Sequence, residues 1–115
     1  MSGYVSGVAS SIWSKRKVGV AALSTNVIDT TDFDTIRGIK YILCFYSDIE
    51  DKTKMLDMSI IKENTSIKDT VYGRIGIGLN LAVTAVKNGS SIELRLQNNE
   101  TFQVTADIAK LTFKP

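Results

Sequence analysis

The side chains of this 115-residue chain that could do chemistry are few, and most are carboxylates in two clusters. Asp29, Asp32 and Asp34 stand in DTTDFD, and Asp48, Glu50 and Asp51 in SDIEDK. Such oxygens could ligate calcium, or a pair of them could serve as the acid and base of glycoside hydrolysis. Neither spacing follows an EF-hand loop, and aspartate is the residue that turn initiation and capping ask for. The chain has no histidine, which removes the commonest general base, the usual triads and the commonest metal ligand. Its one cysteine, Cys44, excludes a thiolate zinc site and an internal disulfide. The GRIGIG run at 73–78 lacks the G-x-G-x-x-G order and leads into a strand, so its glycines predict a bend or bulge and no phosphate cradle. These residue types predict a protein that is not an enzyme and that carries no cofactor and no metal.

What remains is binding. Ile12 and Trp13 form an apolar pair, and Lys15, Arg16 and Lys17 follow directly. Three of the 14 lysines and arginines fall in this leading segment, leaving 11 basic against 12 acidic residues beyond it. The overall charge of +2 is too small to predict direct nucleic-acid binding. Cations alone give a salt-screened attraction, whereas a tryptophan entering a pocket adds a contact that salt does not screen. Ile12, Trp13, Lys15, Arg16 and Lys17 are therefore the expected partner-binding residues. Trp13, Tyr41, Phe45, Tyr46 and Tyr72 could also make a sugar-stacking surface, although aromatics on sandwich strands usually fill the core. Asn64, Asn88 and Asn99 match the glycosylation pattern, but each lies at an expected turn.

The elements that must position these groups are strands. Residues 1–17 are rich in serine and glycine without periodicity and read as an extended basic arm, with the domain at 18–115. From Val18 the chain alternates apolar and polar residues between polar turns. VGVAALSTNVI reads as one strand, and TTDFDTIRG as a connection anchored by Phe33 and Ile36. IKYILCFYSD is largely apolar on both faces, with Ile39, Tyr41, Leu43 and Phe45 on one and Lys40, Ile42, Cys44 and Tyr46 on the other, so it asks to be covered twice. TKMLDMSIIK, SIKDTVYGRIG and LNLAVTAV follow, then Asn88-Gly89 as a hairpin turn into SIELRLQ. In TFQVTADIAKLTFKP the inward set Phe102, Val104, Ala106, Ile108 resumes as Ala109, Leu111, Phe113, which predicts a β-bulge at Ile108 and Ala109. The expected core is Leu43, Phe45, Leu56, Met58, Ile60, Leu81, Val83, Leu94, Leu96, Val104 and Leu111. The fold class is all-β, an antiparallel β-sandwich of about seven or eight strands with an extended N-terminal arm. The second face of IKYILCFYSD is then to be covered by the arm, by a connection or by another protomer.

Length and composition fit one soluble globular domain, with no apolar run long enough to span a membrane and no signal-peptide pattern. With these features, Val18 to Phe113 resembles a jelly-roll-like β-sandwich module of tailed-bacteriophage structural proteins. VIDTTDFDTIRGIKYILCFYSD carries the acidic connection running into an alternating strand; VYGRIG is similar to the module's tyrosine-glycine turn; AVKNGSSIELRLQN is similar to its Asn-Gly hairpin. The resemblance implies a virion protein assembled in the host cytoplasm, frequently a homotrimer, found in head decorations, necks and tail appendages, with no catalytic residues to transfer. A free-standing domain behind a short basic arm, without a fibre stalk, leads us to expect a capsid decoration or cement protein docking through its arm on the major capsid protein, or a neck or tail accessory protein. The alternative is a glycan- or receptor-binding module of a tail fibre. No membrane partner is expected.

Overall fold

The computed structural model describes residues 11–76 and 78–115. Eight strands follow one another: β1 (Ser11–Val20), β2 (Ser24–Asp32), β3 (Gly38–Ser47), β4 (Lys52–Glu63), β5 (Ser66–Ile75), β6 (Leu81–Asn88), β7 (Ser91–Asn98) and β8 (Val104–Phe113). They form two antiparallel sheets, a five-stranded one in the order β1-β8-β3-β4-β5 and a three-stranded one in the order β2-β7-β6. The expected β-sandwich is thus the observed architecture. Between the layers lie Tyr41, Leu43, Phe45, Met58, Ile60, Ile92, Leu94, Leu96, Val104, Ala106 and Ile108, all at or below 1% exposure. One turn of 3-10 helix, Phe33–Thr35, joins β2 to β3, and the Asp32 carboxylate caps it by accepting from the Asp34 N–H. Phe33 and Ile36 are buried as anchors, and the ammoniums of Lys62 and Lys87 stand 4.5 and 4.6 Å from the Phe33 ring centroid.

VGVAALSTNVI is two strands, not one. β1 pairs with β8 in the larger sheet and β2 with β7 in the smaller, so the chain must change layers between them. It does so at Ala21–Leu23, where Leu23 takes φ 53° and Ser24 Oγ donates to the Ala21 carbonyl. Asn98, fully buried, fixes this crossing: its Nδ2 donates to the carbonyls of Val20, Ala21 and Phe102, and its Oδ1 accepts from the Glu100 N–H. The expected arm falls into two parts. Residues 11–17 are the first seven residues of β1, paired without interruption from Ser11↔Phe113 to Val20↔Val104, and residues 1–10 lie outside the described residues.

The hairpin between β6 and β7 turns on Gly89 and Ser90, since Asn88 already pairs with Ser91. Gly89 has φ 63°, and it occupies the first central position, the place glycine takes in a type II′ turn.

No bulge interrupts β8. Its register with β1 and β3 is unbroken, and Lys110 and Thr112 keep the inward phase while Ala109, Leu111 and Phe113 point out. The apolar pattern slips by one residue there, but the backbone alternation does not, because a lysine occupies the inward phase at 110. The bulges sit elsewhere, at Ile28 in β2 and at Gly73–Arg74 in β5. The first brings both Ile28 and Asp29 to the interior. The Asp29 carboxylate then accepts from Tyr41 Oη at 2.7 Å and from Lys110 Nζ at 2.8 Å, so one polar clasp ties the two sheets together. Burial first, and the Asp29 charge second, raise the Tyr41 phenol far above its ordinary value and keep it a donor.

Candidate functional site

The outer face of the five-stranded sheet is the surface left to consider. Paired residues on neighbouring strands point to the same side, so the registers lay out this face in rows. The first row runs Phe113, Gly38, Ile61, Lys68; the second Trp13, Leu111, Lys40, Ser59, Thr70. Then come Lys15, Ala109, Ile42, Asp57, Tyr72, and finally Lys17, Asp107, Cys44, Met55, Ile75. Tyr46 follows beyond Cys44. Trp13, Ile61, Tyr72, Ile75, Met55 and Phe113 are all more than 40% or at 40% exposed, an apolar load on one face that the core does not need. No described element of the chain covers it.

Charges are interleaved with these rings. Lys17 Nζ lies 5.7 Å from the Tyr46 ring centroid and Lys40 Nζ 5.8 Å from that of Tyr72. Hydrogen bonding to Tyr46 chiefly, with the Asp107 and Asp48 charges adding, holds the Lys17 ammonium above its ordinary value. Ser59 Oγ and Tyr72 Oη are 3.2 Å apart. Lys15, Ile42, Cys44, Asp107 and Ala109 line a shallow depression of about 150 Å³. Burial and then Asp107 push the Cys44 thiol up, with Lys17 opposing, so it is a poor thiolate.

The strand geometry divides the expected partner-binding residues. Trp13, Lys15 and Lys17 share the outer face with Leu111 and Tyr46, while Arg16, opposite Ile108, points to the other side of β1. The Ile12 side chain lies outside the described residues. Of the aromatics weighed as a sugar-stacking surface, Tyr41 and Phe45 are core, whereas Trp13, Tyr46 and Tyr72 lie on the outer face. Leu111 and Phe113 were missed as surface residues because the supposed bulge turned them inward. The two acidic clusters do not converge: Asp29 is in the clasp, Asp32 caps a turn, and Asp48, Glu50 and Asp51 belong to the exposed β3–β4 turn. Gly73, Gly76 and Gly78 all have positive φ, and a Cβ on Gly76 would run into the Thr53 carbonyl oxygen.

A second concavity of about 190 Å³ opens between the two sheets, where β4 and β5 of one meet β6 of the other. Lys54, Leu56, Val71, Arg74, Leu81, Ala82 and Val83 line it.

No protein-family model and no curated protein matches this sequence. Among solved structures, a tailspike protein of Acinetobacter baumannii phage AM24 matches with a TM-score of 0.57 and 8% identity over 94% of this chain. Two further tailspikes match at TM-score 0.49: one from an Acinetobacter baumannii bacteriophage, described as a capsular polysaccharide depolymerase, at 8% identity over 94% of this chain and 19% of its own, and one from another Acinetobacter phage at 12% identity over 89% and 21%. This chain spans only 27% of the AM24 tailspike, and at such identity what the two have in common is the fold of that part.

Proposed function

We propose that this chain is a non-enzymatic structural module of a tailed-phage particle, placed at the tail, which self-associates through the outer face of its five-stranded sheet. The observation that carries the proposal is that face: Trp13, Met55, Ile61, Tyr72, Ile75 and Phe113 exposed together, with half-buried Ile42 and Tyr46 between them. Burying such a face at about 25 cal/mol per Å² of apolar area is the ordinary driving force of protein association. Copies of the chain, three in the expected assembly, would supply the second cover that β3 asks for. The fold in common with part of a tailspike supports the tail over the head, and the sequence resemblance to phage structural modules supports a virion role. Under a head-decoration reading the same face would serve, with the capsid in place of the tail.

Ile42→Lys tests this, because its side chain lies at the centre of the outer face and outside the core. The variant should keep the far-UV circular dichroism of the parent, yet be monomeric by sedimentation at tens of micromolar and missing from purified particles by mass spectrometry. A parent chain that is monomeric at that concentration, or a variant incorporated in full, would refute the proposal. Gold labelling of particles separates tail from capsid. A second reading, glycan binding, has the exposed rings of Trp13, Tyr72 and Phe113 in its favour, since sugars stack on such faces. Glycan-array binding abolished by Tyr72→Ala, with self-association intact, would favour it.

A further inference from the structure

The sandwich has four strand edges, and three are guarded against further pairing. β1 carries Lys15, Arg16 and Lys17 at its centre, β2 is bulged at Ile28, and β5 is bulged at Gly73–Arg74 with Gly73 at φ 64°. β6 has none of these devices. Its register with β7 is unbroken from Leu81↔Asn98 to Asn88↔Ser91, and the stretch LAVTAV has no charge, proline or glycine. Alternate residues of an edge strand direct their N–H and C=O groups away from the sheet, so β6 presents a template for one more strand.

The core is also incomplete on this side. Seven hydrophobic side chains are only partly buried against it, and five of them, Ile67, Val71, Leu81, Val83 and Ala85, belong to β5 and β6. Three of these five, Val71, Leu81 and Val83, line the cleft of about 190 Å³, together with Leu56 and with Lys54 and Arg74. Neither cation forms an ion pair among the described residues. A strand laid beside β6 would cover the apolar floor with every second side chain, and a carboxylate at its end would meet the two cations.

We infer that β6 is an acceptor for strand addition, and that its occupant is an extended segment of a partner protein with apolar residues at alternate positions and an acidic residue at the end facing Lys54 and Arg74. Backbone hydrogen bonds supply affinity in this mode, and the inward side chains supply selection. The acceptor strand β6 belongs to the three-stranded sheet and the self-association face to the five-stranded one, so this inference goes beyond the function proposed above and can fail independently of it.

The probe is a capped short peptide of alternating threonine and valine in which one end valine is glutamate, compared with the same peptide carrying lysine there. Titrated into the full chain and followed by amide NMR, the glutamate peptide should shift and protect the amides of 81–86 and bind roughly tenfold more tightly than the lysine peptide. Arg74→Glu, at an exposed position, should reverse that preference without changing the fold. Equal affinity for both peptides, or shifts confined to the outer face, would overturn the inference. So would concentration-dependent protection of the β6 amides in the protein alone, which would make a second copy the occupant.

Discussion

Lys110→Met tests the central energetic feature of the fold. Lys110 lies on β8 with its side chain 15% exposed, and its Nζ is 2.8 Å from the Asp29 carboxylate, itself 8% exposed. It also donates to Thr31 Oγ1 at 3.1 Å and the Thr30 carbonyl at 3.3 Å. The substitution keeps the length and apolar stem of the side chain but removes the charge, leaving Asp29 with only the Tyr41 hydroxyl at 2.7 Å. Breaking a buried pair by removing one partner costs about 3 to 5 kcal/mol, because the remaining charge is uncompensated. Lys110 keeps some contact with water, so the lower end, about 3 kcal/mol, is expected. Adding Asp29→Asn removes the stranded charge while preserving an acceptor for Tyr41, and should restore most of the loss, giving a coupling of about 2 kcal/mol. Urea unfolding followed by far-UV circular dichroism measures all three chains. A single-variant loss below about 0.5 kcal/mol, the range of an ordinary surface substitution, would refute the reasoning. It would mean that Lys110 points to solvent, as a bulge at Ile108 and Ala109 would make it do.

Leu94→Ala, at a fully buried position between the sheets, should cost about 2 to 5 kcal/mol in the same assay, and a loss near zero would place β7 in the opposite phase. Asn98→Ala removes three donations to carbonyls at the layer crossing and should cost about 2 to 4 kcal/mol, where a simple exposed asparagine would cost almost nothing. Gly76→Ala must adopt φ 100° and place its Cβ against the Thr53 carbonyl, so a loss of at least about 1 to 3 kcal/mol is expected on thermal or urea unfolding. Cys44 should react with iodoacetamide at neutral pH more slowly than a free cysteine, and more slowly still in Lys17→Ala, since burial and Asp107 raise its thiol and Lys17 alone opposes them; a faster reaction in the variant would contradict the geometry.

The β class, the sandwich and most of the core could be read in the sequence, because strand periodicity is local. Leu43, Phe45, Leu56, Met58, Ile60, Leu94, Leu96 and Val104 are buried as their alternation predicts. The double-sided apolar pattern of β3 also marks a face that needs a second cover. What alternation could not decide is how far a polar residue can follow the inward phase. Lys110 does so only because a bulge some eighty residues earlier turns Asp29 toward it, and no local signal announces that partner. From that one assignment came the wrong placement of Leu111 and Phe113, and with it an underestimate of the apolar outer face. Leu81 and Val83 were expected in the core and are half-buried, since their cover depends on which strands neighbour β6, a property of sheet order. The segment 11–17 looked like an arm because serine and lysine carry little intrinsic strand preference; pairing with β8 makes it a strand. Periodicity belongs to the chain and determined which residues could share a face; pairing and layer order belong to contacts distant in sequence, and only the tertiary structure decided what each face meets.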